Sequence, residues 1–169
     1  MKRERIDPGW AWTKKFNFWV GWKMGDTVQL SGLVAFDADG GVIGKGDCYT
    51  QTRQTFQNIE QALASAGATM SDVVKITTYL TDMANYQAFS KARAETFPDG
   101  VPSSTTVCSP ALIMPDLLVE IEVAWQAVRE GTGQLGERPC IPLPSADSRV
   151  AHVELMQAAS PCVASPRFR

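Results

Sequence analysis

An apolar run interrupted by two carboxylates constrains the fold of this chain more than any other feature. The run covers residues 117–125, LLVEIEVAW, and places Glu120 and Glu122 among aliphatic neighbours. Because side chains alternate across a strand, the odd-numbered residues form one wholly apolar face, and the acids lie on the opposite face. The pattern therefore predicts a strand with a covered apolar face and an unusual acidic one.

Further strands are predicted on both sides of this run. The whole stretch from Val101 to Trp125 predicts two strands joined by a proline-marked connection. Residues 27–32 (TVQLSG) alternate cleanly, with Val28 and Leu30 on one face, and the β-branched residues 73–80 (VVKITTYL) predict another strand. Turn signals lie at 24–26 and 37–41, residues 16–20 are rich in aromatic side chains, and residues 1–15 predict an irregular arm or a short strand.

Two amphipathic helices are predicted between the strands. The first is capped by Asp47 and closed by Gly67 in the left-handed position that glycine favours. The second begins at Thr81-Asp82 and ends before Pro98. Apolar side chains recur at three- to four-residue spacing along both: Thr52, Phe56, Ile59, Leu63 and Ala66 in the first, and Tyr86, Phe89, Ala92 and Phe97 in the second.

The resulting order, β-β-α-β-α-β-β, predicts an α+β fold with both helices on one face of a sheet. The helices would cover the apolar strand faces. The other face, with Thr27, Gln29, Ser31, Glu120 and Glu122, is too mixed in character for simple solvent exposure. We therefore expect sheets from several copies of the chain to associate around a shared interior.

Composition narrows the classes of function. The chain has 169 residues, which suits one domain (1–129) followed by a Gly-, Pro- and Ser-rich tail (130–169), in which residues 148–158 predict one short helix. The net charge of −2 and the lack of a basic stripe argue against a nucleic-acid partner. No apolar run reaches the ~20 residues of a membrane span, and no secretory signal is evident at the N-terminus, so we expect a cytoplasmic protein without a membrane partner. The four cysteines lack metal-ligand spacing, which predicts free thiols and no metal site.

Four segments in matching order carry a resemblance to a known family. These are GDTVQLSG, QTRQTFQNIEQALASAGA, DVVKITTYLTDM and PDLLVEIEVA, within residues 16–126. Together they resemble the YjgF/RidA family. The resemblance implies a chorismate-mutase-like fold, a six-stranded sheet with two helices on one face, assembled as a homotrimer with pockets at the subunit interfaces.

The resemblance also implies a reaction. Family members hydrolyse reactive enamines and imines, such as 2-aminoacrylate, to a keto acid and ammonia without a cofactor. Glu120 matches the first glutamate of the family's EIE motif, which implies a catalytic role in positioning water. Ser31 and Gly32 match the family's SG motif and are expected to bind substrate.

At three positions the chain departs from the deaminases of the family. Phe18 stands where they carry a tyrosine, and Ser104 stands where they carry the arginine that clamps the substrate carboxylate. Thr106 occupies a position where some members have a cysteine. The chain thus resembles the arginine-lacking branches of the family, and we do not expect an efficient 2-imino-acid deaminase. Phe18, Ser104 and Thr106 are still expected to line the small-molecule pocket.

Several interpretations remain open at this stage. Glu120 alternatively serves a structural role, and the protein is alternatively a non-catalytic ligand-binding or regulatory trimer. Ser104 is not expected to act as a nucleophile, because the single histidine, His152, lies in the tail. RNA cleavage is disfavoured by the acidic balance and by the lack of a histidine before the tail. Arg53 and Arg93, on the predicted helices, are interpreted as solvated charges.

Overall fold

A computed structural model describes residues 2–126 of the chain. Along these residues lie six strands, three α-helices and two single turns of 3-10 helix, at Met70–Asp72 and Met83–Asn85. The strands are β1 (Arg3–Ile6), β2 (Gly21–Met24), β3 (Thr27–Leu30), β4 (Val73–Leu80), β5 (Ser103–Cys108) and β6 (Val119–Gln126). The helices are α1 (Ala11–Lys15), α2 (Cys48–Ser65) and α3 (Tyr86–Thr96).

The six strands form one mixed sheet in the order β1-β2-β3-β6-β4-β5. All neighbours pair antiparallel except β4 and β5, which are parallel and are connected through α3. Helix α2 packs on β3 and β6 and also against α3, so these two helices cover the same face. The expected α+β fold, a six-stranded sheet with two helices on one face, is confirmed.

Strand β6 at the centre of the sheet shows the predicted alternation. The odd-numbered side chains from Leu117 to Trp125 are all buried, whereas Glu120 and Glu122 are half-buried on the other face. Val28 and Leu30 of β3 are buried with the odd-numbered set. The uncovered face also carries Thr27, Gln29 and Ser31, each half-buried or exposed in the single chain.

Helix α2 begins and ends where the sequence predicts. The Asp47 side chain accepts a hydrogen bond from the Thr50 backbone N–H, which satisfies one of the free donors of the first turn. The helix ends at Ser65, and Gly67 follows with φ 72°, a conformation that glycine adopts without strain. Between these ends the apolar stripe is buried against the sheet, with Ile59 and Leu63 fully inaccessible to solvent.

The N-terminal segment is more ordered than the sequence indicates. The arm forms β1, which pairs with β2 as the sixth strand of the sheet, and the short helix α1. The strand that leads into the turn at 24–26 is Gly21–Met24, and it follows the aromatic residues 16–20. The indole rings of Trp10 and Trp12 stack with centroids 5.3 Å apart, and this buried pair fixes α1 against the body of the protein.

Several expectations fall on residues 127–169, outside the described part of the chain. They are the domain boundary at residue 129, the tail, the short helix predicted at 148–158, and His152. Within residues 2–126, the buried Cys48 is a free thiol, as expected. No helix of the described chain is long and apolar enough to cross a membrane.

Candidate functional site

Glu120 lies at the centre of the candidate site, and the backbone holds it beside Gly32. Leu33 and Ile121 exchange two backbone hydrogen bonds, both 2.9 Å long, which fix the chain after β3 against β6. This pairing places the Glu120 side chain over the Cα of Gly32. A Cβ at residue 32 would lie 2.8 Å from Cδ of Glu120 and closer still to its Oε1, so only glycine leaves room for the carboxylate.

An aromatic and aliphatic pocket opens beside this carboxylate. Its space within one chain is about 110 Å³. Among the described residues that line it, Glu120 is the single ionisable group. The other lining residues come from α1 and the segment between it and β2, from the segment after β3, and from the connection before β6: Trp12, Phe16, Phe18, Gly32, Val34, Phe36 and Ile113.

The aromatic wall is held by ring-to-ring contacts. The Trp12 ring lies 5.5 Å from both Phe18 and Phe36, and Phe16 lies 6.4 Å from Phe36. Trp12 and Phe36 are buried, while Phe16 is 45% exposed and Ile113 is 72% exposed at the mouth. Such exposed apolar side chains beside a pocket indicate contact with a ligand or with another protein surface.

Phe18 was predicted from the sequence, but most of the other residues of this wall were not. Trp12 lies on α1 and Phe16 is its C-cap residue, four positions later, so both project from one side of the helix. The four-residue spacing could have indicated that the two rings share a face, but only if the short helix α1 had been predicted. Phe36 and Ile113 lie in irregular segments, whose placement no periodicity reveals.

The electrostatics of Glu120 differ from those of a surface carboxylate. Burial beside the aromatic wall raises the pKa of Glu120, and the nearby Glu122 carboxylate raises it further. The hydroxyl of Tyr79 donates a 3.4 Å hydrogen bond to Glu122 Oε1. The Glu122 charge raises the pKa of Tyr79 in turn, with smaller contributions from burial, that hydrogen bond and Glu120. The acidic face therefore carries two coupled carboxylates, of which Glu120 is the one facing the pocket.

A carboxyl group with a raised pKa next to apolar walls is suited to exchange a proton with a bound molecule. In the described chain, no group of three or more histidine, cysteine, aspartate or glutamate side chains is arranged to hold a metal ion. The groups present thus suit proton transfer and the binding of an apolar, cationic or amino-substituted ligand.

Ser31 lies next to this pocket but uses its hydroxyl for the fold. Its Oγ donates a 2.9 Å hydrogen bond to the Trp19 carbonyl, and its backbone N–H donates to the Val20 carbonyl. These bonds tie β3 to the segment that carries Phe18. The structure thus brings together Glu120, Gly32, Phe18 and Ser31 from the predicted site.

Ser104 and Thr106 lie elsewhere in the single chain, on β5 at the edge of the sheet. Ser104 pairs with Ile76 of β4, whereas Glu120 pairs with Tyr79 on the other side of β4. Three residues along the strand and two strand spacings across it separate Ser104 from Glu120 by roughly 14 Å, on opposite faces of the sheet. One chain therefore does not bring Ser104 and Thr106 into the Glu120 pocket.

Ser104 nevertheless contacts a guanidinium. Arg93, on α3, donates a 2.8 Å hydrogen bond from Nη1 to Ser104 Oγ. The interpretation of Arg93 as a solvated charge is wrong, since its Nε is buried and its guanidinium carbon lies 5.1 Å from the centroid of the buried Phe89 ring. Arg53, by contrast, is exposed and forms an ion pair with Glu95.

Comparison with known proteins gives a consistent result. The family described as Endoribonuclease L-PSP matches residues 13–126. A RutC family protein of Pyrococcus horikoshii is 36% identical over 100 residues, which are 59% of this chain and 79% of that protein. A RutC family protein of Pyrococcus abyssi is 33% identical over 100 residues, 59% of this chain and 78% of that protein.

Solved structures share the fold. A Mycobacterium tuberculosis member of the YjgF/YER057c/UK114 family superposes with a TM-score of 0.65 at 30% identity, over 75% of this chain and 100% of that one. RidA from an Antarctic Psychrobacter superposes with a TM-score of 0.61 at 27% identity, over 65% of this chain and 88% of that one.

Proposed function

The chain belongs to the YjgF/RidA family, and from this membership we propose that it is a homotrimer that hydrolyses an imine or enamine of a small amino-substituted metabolite. Glu120 is the catalytic residue of this proposal, and Gly32, Phe18 and Ser31 form its surroundings. The observation that carries it is the half-buried Glu120 carboxylate, with a raised pKa, in a pocket walled by aromatic rings. The same proposal assigns the activity to a domain at 1–129 of a cytoplasmic protein, with 130–169 as a tail.

The proposed reaction has two steps. Glu120 accepts a proton from water as the water oxygen bonds to the carbon of the protonated imine, and the carbon–nitrogen double bond becomes single in a neutral carbinolamine. Glu120 then gives that proton to the amine nitrogen; the carbon–nitrogen bond breaks, ammonia leaves, and the carbonyl product forms as the hydroxyl proton passes to solvent. A raised pKa makes the carboxylate a stronger base for the first step, and the proton accepted there is the one given to nitrogen in the second.

The aromatic wall supports the same chemistry. A protonated imine is a delocalised cation, and a cation over aromatic faces is stabilised by about 0.5–2 kcal/mol. Apolar walls also limit the access of bulk water, which favours reaction with the one water beside Glu120. The exposed rims of Phe16 and Ile113 would contact the apolar portion of the substrate.

Pocket size favours completion of the site by a second copy of the chain. The space within one chain is about 110 Å³, below the ~300–1,000 Å³ of typical small-molecule pockets. The polar, half-exposed sheet face that begins at Glu120 lacks a covering layer in the described chain. A trimer built on this face would enlarge the pocket with residues of a neighbouring subunit.

The test is a steady-state assay of ammonia release over a panel of imines, freshly generated from amino acids by an oxidase. Wild-type protein is expected to accelerate hydrolysis of at least one imine, and Glu120→Gln is expected to lower kcat by about 10²–10⁴-fold. Glu122→Gln removes a carboxylate on the same face that does not line the pocket and serves as the matched control. It should lower kcat far less than Glu120→Gln, because burial, the larger cause of the raised Glu120 pKa, remains. Equal turnover by wild type and Glu120→Gln would refute the catalytic role.

A non-catalytic ligand-binding trimer is the second candidate, and one observation favours it. The Ser31 hydroxyl, which was expected to bind substrate, is already donated to the Trp19 carbonyl, and the Ser104 hydroxyl oxygen already accepts from Arg93. In that case no imine is turned over, and metabolites raise the melting temperature by mass action. A thermal-shift screen on wild-type protein and Glu120→Gln separates the candidates, because a pure binding site survives the isosteric substitution for neutral ligands.

A further inference from the structure

The side chain of Gln51 joins three separate segments of the chain. Gln51 lies on α2 and is fully inaccessible to solvent. Its Nε2 donates hydrogen bonds of 2.7 Å to the Asp116 carbonyl and 3.2 Å to the Gly44 carbonyl, and its Oε1 accepts a 2.8 Å bond from the Leu118 N–H. One amide therefore links α2 to the loop before it and to the connection between β5 and β6, residues 109–118.

The connection 109–118 is held at its two ends and by Gln51. Ser109 and Leu118 each form one backbone hydrogen bond with the end of β4 or the residue after it. Between them, the bond from Gln51 to the Asp116 carbonyl is the only backbone hydrogen bond to another element within the described chain. The Asp116 side chain also pairs with Lys45, but both groups are exposed, so this ion pair holds the connection only weakly. Loss of the Gln51 amide would thus release the middle of the connection.

Ile113 lies in the middle of this connection, at the mouth of the aromatic pocket. Its neighbours Leu112 and Met114 pack against the core, whereas Ile113 is 72% exposed and lines the pocket beside Glu120. A side chain with so little packing of its own takes its position from the backbone that carries it. The position of Ile113 therefore depends on the Gln51 amide.

We propose that Gln51 is a positioning residue for the pocket, which holds Ile113, through the connection 109–118, where it contacts a larger apolar substituent of the ligand. The selection of such ligands rests on the proposed function, because it concerns the same pocket, whereas the placement of Ile113 does not. Gln51 itself does not line the pocket, so its effect on a ligand is exerted through Ile113.

Glu120 is held independently of Gln51. Strand β6 pairs Glu120 with Tyr79, and Ile121 exchanges two backbone hydrogen bonds with Leu33. These bonds lie beyond the connection, so they remain when the Gln51 amide is removed. The removal should therefore change the binding of ligands at the mouth, measured as KM, more than the chemical step, measured as kcat.

The amide of glutamine fits this position because it offers two N–H donors for the Gly44 and Asp116 carbonyls and an acceptor for the Leu118 N–H. Gln51→Leu leaves these groups without that partner. A buried glutamic acid stays protonated because burial opposes its charge, and it then keeps one donor and the acceptor. Gln51→Glu is therefore the conservative variant and should restore most of the wild-type behaviour.

The experiment uses the full-length protein and follows Ile113 by methyl NMR and hydrolysis by ammonia release from the imines of alanine and phenylalanine. In wild type, the Ile113 δ1-methyl should show NOEs to ring protons of the aromatic wall. The wild-type Leu118 N–H should exchange at least about a hundredfold more slowly than an unstructured amide. Gln51→Leu should lose the NOEs and raise KM for the phenylalanine imine by about tenfold, with kcat for both imines within about twofold of wild type. Gln51→Glu should keep the NOEs, with KM within about threefold of wild type.

Thr52→Val is the matched control. Thr52 is fully buried at the next position of α2, and its hydroxyl donates within the helix to the Cys48 carbonyl. The variant thus removes a buried polar group without affecting the connection, and it should leave the NOEs and KM unchanged. Ile113→Ala should raise KM for the phenylalanine imine as Gln51→Leu does, and the double variant should raise it no further, because both act through one contact.

Unchanged Ile113 NOEs in Gln51→Leu overturn the proposal, and so does an equal loss of NOEs in Thr52→Val. A Leu118 N–H that exchanges freely in wild type, or additive KM effects in the double variant, overturns it as well. If Gln51→Leu does not fold, Gln51→Asn replaces it with the same expected outcomes, since its shorter side chain withdraws the amide but stays polar. If wild type hydrolyses neither imine, the proposed function fails, and the NOEs and the Leu118 exchange still decide the placement of Ile113.

Discussion

The carboxylate of Glu120 occupies the space in which a side chain at Gly32 would lie. Gly32 does not have a positive φ, so its backbone conformation does not require glycine. Glycine is needed there because a Cβ would overlap the Glu120 carboxylate. The two backbone hydrogen bonds between Leu33 and Ile121 keep this contact in register. A glycine at residue 32 therefore directs the carboxylate toward the aromatic pocket rather than toward the adjacent strand.

Gly32→Ala is expected to impair the site more than the fold. The atoms that a new Cβ would meet belong to the end of a flexible side chain, so the carboxylate moves and the stability loss stays near or below about 1 kcal/mol. The displaced carboxylate becomes more solvated, and its pKa falls toward the ordinary value. NMR titration of Glu120 and urea unfolding measure the two effects. Ser31→Ala is the neighbouring control, and an unchanged Glu120 titration in Gly32→Ala would contradict the packing argument.

Glu120 is also expected to make stability depend on pH. A carboxyl whose pKa is higher in the folded protein binds more protons in the folded state than in the unfolded state. Its contribution to the free energy of unfolding is therefore complete only below its pKa in the unfolded chain, about 4.3. That contribution is lost as pH rises through the folded pKa. Between pH 3.5 and 8, wild type should lose stability relative to Glu120→Gln, by less than about 1 kcal/mol because the group is half-exposed. Urea unfolding at several pH values checks the sign, and a relative gain for wild type would refute it.

Glu122 contributes to the titration of Glu120 without facing the pocket. Removing its charge in Glu122→Gln should lower the pKa of Glu120, although burial, the larger cause of the shift, would remain. The pKa of Tyr79 should fall in the same variant, since the Glu122 charge is its main cause. Carbon-detected NMR of both residues tests this coupling, and Tyr49, whose pKa is raised by Glu95 instead, serves as the internal reference.

Asn58 stabilises the segment that carries Val34 and Phe36, which forms one wall of the pocket. Its Nδ2 donates 2.9 Å hydrogen bonds to the carbonyls of Val34 and Phe36, and the side chain is buried in α2. Asn58→Leu removes the side-chain donor of the Phe36 carbonyl and one of the two donors of the Val34 carbonyl, which still accepts from the Phe36 N–H. We therefore expect a loss of about 1–3 kcal/mol in the free energy of unfolding. Gln57→Leu, at the adjacent exposed position, is the control and should change it by less than about 0.5 kcal/mol. Comparable stability of the two variants would contradict this assignment.

The central sheet and α2 were predictable because burial there follows a single period. The alternation of apolar and acidic residues in 117–125 predicted β6 and its acidic face. The capping residue Asp47 and Gly67 predicted where α2 begins and ends. Position within the sheet was not predictable in the same way. Only the strand order shows that Ser104 lies at an edge, away from Glu120.

The N-terminal segment and the role of Arg93 could not be predicted for a different reason. Helix α1 has five residues, too few for a periodic signal, and its indole stacking is a tertiary contact. In the sequence, Arg93 is indistinguishable from a solvated charge on an amphipathic helix, because the side chain that it contacts belongs to another element. The contact with Ser104 depends on the parallel β4–β5 pairing, which the crossover through α3 creates.

Phe16 forms the exposed part of the aromatic wall, so its truncation should separate ligand binding from stability. It is 45% exposed and lies 6.4 Å from Phe36. Phe16→Ala is expected to lower the free energy of unfolding by less than about 1.5 kcal/mol. It should also weaken the binding of an aromatic or apolar ligand by about tenfold. Lys15→Ala, at the last residue of α1 and next to Phe16, is the control for a general effect on this helix. Unchanged affinity in Phe16→Ala would show that the wall does not contact the ligand.

Val107 offers a test of the proposed assembly. It lies on β5 opposite Tyr79, hence on the same face as Glu120, and is 41% exposed in the single chain. If that face is the interior of a trimer, Val107→Asp buries an unpaired charge on association, at several kcal/mol per interface, and should yield monomers with unchanged circular dichroism. Val101→Asp carries the same change at a loop residue of similar exposure and should leave assembly intact. Sedimentation velocity distinguishes the two. A wild-type monomer would refute the proposed assembly, and a Val107→Asp trimer as stable as wild type would place the covering surface elsewhere on the molecule.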